Sequence, residues 1–156
     1  MRKIFFSPAV VFAVILLDYF TKWIIETRVH PREVINVLPF LNIVNVKNTG
    51  AAFGMLSGLD NRIFIAIAII AIILVITYIL KTTDNFEALS VSLILGGAVG
   101  NLLDRLKIGK VVDFIDFFAG EWHWPAFNVA DSALTIGIIL FVLANIRHSK
   151  KVESRE

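Results

Sequence analysis

The chain contains no cysteine. Disulfides, thiolate nucleophiles and cysteine-based metal sites are therefore excluded, while the compartment stays open. Charge is also scarce. Asp, Glu, Lys and Arg make up 18% of the 156 residues, against about 25% in soluble domains. The formal charge of +2 is small and its basic residues are scattered rather than striped, which speaks against nucleic-acid binding. His30, His123 and His148 are dispersed and form no H-E-x-x-H, so a zinc protease lacks its ligand set. No Ser–Lys or Ser–His–Asp grouping can be assembled, and neither an internal repeat nor a low-complexity tract is present.

What the chain has in excess is apolar surface. It is 57% hydrophobic with a mean hydropathy of +0.78, too much for a core of this size to hide from water. The composition reads as one integral membrane domain. Four segments approach the roughly 20 residues that cross a bilayer as a helix, at about 4–25, 63–80, 86–103 and 124–146. Arg2 and Lys3 resemble the start of a signal peptide. No small-residue cleavage site follows, so the first segment is expected to remain as a span.

The Lys81–Asn85 connection is short, which makes spans two and three an antiparallel hairpin. Residues 29–56 differ in kind, alternating partly between polar and apolar and rich in Val and Ile. The expected fold is an all-α polytopic membrane protein of four transmembrane helices. A small extracytoplasmic β element would lie between spans 1 and 2, with Asn48-Thr49-Gly50 as its turn. Arg2, Lys3, Lys81, Arg147, Lys150, Lys151 and Arg155 flank the spans in very short segments, which puts both termini and the 147–156 tail in the cytoplasm.

The polar residues inside this apolar frame need an explanation. Asp18 and Lys22, four apart, share a helix face and partly neutralise each other, either as an interfacial anchor or as a support for an adjacent site. In LGGAVGNLLDRL, Gly96 and Gly100 permit close helix approach, while Gly97, Asn101 and Asp104 share a face with Arg105 beside it. Those polar groups read as an interfacial cap or as part of a site. Asn128 and Asp131 share a face of span four. Counted from Trp124, Asp131 lies seven residues in, or about 10 Å, and an aspartate so deep is functional by default or else a hydrogen-bonded structural group.

Asp113 and Asp116 fall in the connection between spans three and four, in VVDFIDFF, which reads as a short amphipathic piece lying in the interface. Asp116 is expected to be ordinary interfacial charge there. Asp113 could fold back towards Asp131, and two carboxylates that close share one proton, which is aspartic-protease chemistry. Asp104 is a rival partner for Asp131. It has Arg105 beside it and Asn101 on its face, which suits a fixed ionised support instead. A transporter would also carry polar residues in its spans, but the two halves share no repeated pattern; a scaffold would leave the carboxylates unused.

Together the pieces DYFTK (residues 18–22), NTGAAFG (48–54), GGAVGNLLDR (96–105), VVDF (111–114) and FNVADS (127–132) resemble the lipoprotein signal peptidases, the type II signal peptidases of bacteria. The resemblance implies an aspartic endopeptidase of the bacterial plasma membrane with a dyad of Asp113 and Asp131. It implies removal of the signal peptide from prolipoproteins just before a diacylglyceryl-modified cysteine, near the extracytoplasmic face. Asn48, Asn101, Arg105 and Asn128 map onto its substrate and inhibitor site, Gly54 onto its extracytoplasmic β region, and globomycin is the implied inhibitor. No metal or organic cofactor is implied, and a monomer suffices.

Overall fold

The computed structural model describes the backbone of residues 2–50 and 58–153, with side chains described for 7–50 and 58–147. Four helices are long and apolar enough to cross a membrane: α1 (Arg2–Arg28), α2 (Asn61–Lys81), α3 (Asn85–Ile108) and α4 (Val129–Glu153). They are inside out by soluble standards. On α2, Ile67, Ile70, Ile73 and Leu74 are all more than half exposed, surface that only lipid covers without cost. α3 is central and packs against the other three.

Small residues let it do so. A Cβ on Gly96 would meet Val14 of α1 at 2.7 Å, and one on Gly100 would meet Asp18 at 2.7 Å. One on Gly97 would meet the carbonyl oxygen of Ala130, on α4, at 2.4 Å. Close packing of this kind replaces the hydrophobic drive that lipid removes.

The helix ends carry their own signals. Asp60 caps α2 by accepting from Arg62 N–H at 2.8 Å, and Asp84 caps α3 by accepting from Phe86 and Glu87 N–H at 2.7 and 3.0 Å. Gly109, with φ +72°, ends α3 in the left-handed conformation that suits glycine.

One four-stranded antiparallel sheet, in the order β1-β2-β3-β4, joins the helices: β1 (Val34–Leu38), β2 (Leu41–Asn48), β3 (Val111–Ala119) and β4 (Trp122–His123). Ile25 of α1 and Val29 just after it pack with Val112 and Phe114 beneath it. The expected β element between spans 1 and 2 is thus only half of the sheet. VVDFIDFF is not an amphipathic piece in the interface but a strand, with Ile43 opposite Ile115 and Val46 opposite Asp113. Its β-branched and aromatic residues suit a pleated surface, and pairing satisfies backbone groups that an apolar setting would leave bare.

Two further expectations change. Asp116 is not solvated charge: it is 7% exposed and held by Asn42 and His123. A strand puts residues three apart on opposite faces, so Asp116 points away from Asp113. The fourth helix begins at Val129, not near Trp124, because 122–127 is a strand and a bridge in which Phe127 pairs with Ile115. Asp131 accordingly sits in the first turn of α4 rather than two turns into it. At the other end the apolar span closes at Arg147, near the expected 146, and the helix itself runs on to Glu153.

Candidate active site

β3 and α4 bring Asp113 and Asp131 to one cavity of about 630 Å³. The placement of Asp113 starts at the end of α3, where Asp104 Oδ2 accepts from Val112 N–H at 3.0 Å and fixes the first residues of β3. Asp131 arrives by the return of the chain. The Phe127–Ile115 bridge lays the segment before α4 alongside β3, so the helix starts next to Asp113.

Asn128 makes that start. Its Oδ1 accepts from Asp131 N–H at 2.9 Å, while Asp131 Oδ2 accepts from Asn128 N–H at 3.2 Å. This reciprocal pair is a capping box built from Asn and Asp. The same Asn128 donates through Nδ2 to Asp113 Oδ1 at 2.7 Å, so one fully buried amide ties the two aspartates together. Each of the four carboxylate oxygens has a nitrogen donor. Asp113 Oδ2 takes Asn48 Nδ2 at 2.8 Å, and Asp131 Oδ1 takes Asn101 Nδ2 at 2.8 Å.

Beneath the asparagines lies a buried ammonium. Lys22 Nζ reaches Asp18 at 2.8 Å, Asp104 at 3.0 Å and Asn101 Oδ1 at 3.1 Å, matching three donors to three acceptors. Asp18 Oδ1 in turn accepts from Ala130 N–H at 2.9 Å, in the first turn of α4. Asp18 and Lys22, 1% and 2% exposed, thus form the floor under Asn101 and the start of α4.

Burial pushes the Asp113 carboxyl up to about 6, and the neighbouring Asp131 charge adds to the rise. The amides of Asn48 and Asn128 and the Lys22 ammonium pull it back. A carboxyl so placed exchanges its proton near neutrality, as acid–base work requires.

Asn48, Asn101, Arg105, Asp113 and Asp131 line the cavity, and Asn128 lies just behind it. Asp104 does not line it; it faces a separate recess of about 170 Å³ with Lys22 and Glu26. Gly54 lies outside the described residues. Gly50 is held by an Asx turn, its N–H donating to Asn48 Oδ1 at 2.8 Å. Arg105 donates to the Gly50 carbonyl at 2.5 Å and to Asn61 Oδ1 at 3.3 Å, with its guanidinium 4.4 Å from the Phe64 ring. Asn61 answers by donating to Arg105 O at 3.1 Å.

Asn61 escapes a reading of the sequence because it sits at the start of α2, where polar residues are ordinary. Much of the rest of the cavity lining is apolar: Trp124, Pro125, Ala126 and Phe127, with Leu134 and Ile136 of α4. Among the described residues no three His, Asp or Glu side chains converge as a metal-ligand set. The arrangement offers two carboxyls bridged by Asn128, amide donors around them and an apolar lining in the same cavity.

Known proteins share this architecture. The family model for signal peptidase (SPase) II matches residues 10–147. The chain is 43% identical to the lipoprotein signal peptidase of Thermodesulfovibrio yellowstonii over 145 residues, 93% of this chain and 97% of that protein. It is 45% identical to that of Burkholderia thailandensis over 139 residues, 86% and 83% of the two. A bacterial membrane enzyme solved by the in meso method at 2.3 Å superposes with a TM-score of 0.86 at 38% identity, covering 93% of this chain and 90% of its own. A second, at 1.9 Å, gives 0.80 at 40% identity over 88% and 90%. With both sequence and fold matched over nearly its full length, the chain belongs to the signal peptidase II, or lipoprotein signal peptidase, family.

Proposed function

We propose that this membrane peptidase is an aspartic endopeptidase with Asp113 and Asp131 as its dyad. Its substrates would be bacterial prolipoproteins, cut just before a diacylglyceryl-modified cysteine. The observation that carries the reading is Asn128, whose one side chain caps the helix of Asp131 and binds Asp113 at 2.7 Å. It holds two carboxyls from distant elements in one cavity with an apolar wall.

The chemistry balances within the pair. The ionised aspartate takes a proton from water as the water oxygen bonds to the scissile carbonyl carbon. The neutral aspartate donates a hydrogen bond to the carbonyl oxygen and later protonates the leaving nitrogen as the C–N bond breaks. The two carboxyls share one proton and titrate as a unit, with burial holding Asp113 up at about 6. Arg105 and Asn48 shape the Gly50 edge, and Asn101 orients Asp131. Asp104 is a support: Lys22 and the Val112 N–H occupy it, and it faces away from the cavity.

The dyad lies at the sheet end of the helices, opposite Arg2 and Lys81, so the positive-inside rule makes that end extracytoplasmic in the plasma membrane. The diacylglycerol tails would stay in the bilayer beside the apolar wall, with the protein acting as a monomer, and globomycin would compete for the same cavity. Purified protein in detergent should cleave a diacylglyceryl-modified prolipoprotein. Asp113→Asn and Asp131→Asn should each lose about a thousandfold in rate, while folded Asp104→Asn keeps measurable cleavage. Normal cleavage by the Asp113 variant refutes the dyad; no cleavage by folded wild type refutes the function.

A further inference from the structure

A chain of side-chain contacts crosses the whole sheet, one residue from each strand. Asn36 of β1 donates to Asn42 Oδ1 at 2.5 Å, and Asn42 of β2 donates to Asp116 Oδ2 at 2.9 Å. His123 of β4 brings Nδ1 to 2.9 Å from both oxygens of Asp116 on β3. Its ring stacks on Phe118, with centroids 5.5 Å apart and planes at 20°. None of these four polar residues lines the cavity. Nevertheless Asp116 is 7% exposed, and a carboxyl so buried is costly unless it is held.

What this ladder holds is the return of the chain. Residues 124–127, directly after His123, form the sheet-side apolar wall of the cavity. Among the described residues, backbone ties to that wall lie at its two ends, where Phe127 also accepts from Phe114 N–H at 3.0 Å, and the strand leading into it is short. β4 is two residues long, Trp124 N–H donates to Phe117 O at 2.7 Å, and Phe127 pairs with Ile115. Pro125 has no N–H to add. A strand this short is weakly pinned by its own hydrogen bonds, so the imidazole–carboxylate contact at its end matters more than its place outside the cavity suggests.

We propose that His123 and Asp116 are positioning residues for the substrate. Through the ladder they fix the 124–127 wall at the spacing that receives the apolar part of the lipid-modified peptide, and so govern binding rather than the chemical step. The proposal rests on the peptidase reading of the same cavity.

Two substitutions isolate the contact. His123→Phe keeps a ring on Phe118 and removes Nδ1, whereas His123→Asn returns an amide nitrogen near the position of Nδ1. The His123 side chain is 51% exposed, so both variants should fold, which thermal unfolding checks. Steady-state cleavage of a diacylglyceryl-modified prolipoprotein peptide gives KM and kcat. Binding of the same peptide to each variant in an Asp113→Asn background requires no turnover.

His123→Phe should raise KM and weaken binding about tenfold with kcat within about twofold, and His123→Asn should recover binding to within about threefold of wild type. Unchanged binding by His123→Phe overturns the proposal, as does equal loss by both variants or a fall confined to kcat. If wild type binds the peptide without cleaving it, the peptidase reading fails while the binding series still judges the ladder. A wild type that does neither overturns both.

Discussion

Gly97→Ala tests whether the contact between α3 and α4 sets the geometry of the proposed dyad. The new Cβ would lie 2.4 Å from Ala130 O and 2.8 Å from Leu134 Cγ. Ordinary contact begins at 3.4 Å, so the two backbones must separate by 3.4 − 2.4 = 1.0 Å at that point. The carbonyl belongs to the first turn of α4 and cannot rotate away as a side chain would. Ala130 also precedes Asp131 and donates to Asp18, so the strain falls on the residues that place the second carboxyl.

Overpacking of this kind costs about 1–3 kcal/mol. The catalytic effect should be larger than the stability effect, because a displacement of about 1 Å at a reacting group costs on the order of a hundredfold in rate. The assay pairs thermal unfolding in detergent with the cleavage rate of a lipid-modified prolipoprotein. We expect a folded protein with a modestly lower midpoint and a rate reduced by about two orders of magnitude. Wild-type turnover by folded Gly97→Ala would refute the argument that this close approach sets the dyad.

Three other outcomes follow from the site. Asp113, at about 6 in the fold against 3.8 for a free side chain, makes the folded state hold more protons between those values. The stability it contributes is complete below pH 3.8 and is lost as pH rises through about 6, so the thermal midpoint should fall across that window. Asp113→Asn should flatten the fall; an identical slope in the variant contradicts the assignment. Lys22→Met leaves Asp18 and Asp104 buried without their cation and should cost about 3–5 kcal/mol, seen as a large drop in unfolding midpoint. Asn128→Ser keeps a capping oxygen but is too short to reach Asp113. The cap survives but the buried acceptors of Asn128 Nδ2 lose their donor, so it should cost about 1–3 kcal/mol while cleavage falls steeply; wild-type cleavage would show that the bridge to Asp113 is dispensable.

The sequence by itself determined the membrane class, because a chain of 156 residues with 57% apolar content has only lipid to cover it. It also marked the polar residues that a bilayer makes costly, and Asp113, Asp131, Asn48 and Asn101 do meet in one cavity. That much is local composition and spacing, which one-dimensional reading handles well. Only the tertiary structure decided how they meet. VVDFIDFF is short enough to read as helix or strand, and the free edge of β2, distant in sequence, settles it as a strand. That pairing turns Asp116 to the opposite face from Asp113 and buries it against Asn42 and His123. The return through Phe127 starts α4 at Val129, which puts Asp131 in its first turn and frees Asn128 to cap it and bridge the pair. Helix starts and strand partners depend on which backbone groups find donors and acceptors across the fold, and no window of sequence contains both sides of such a bond.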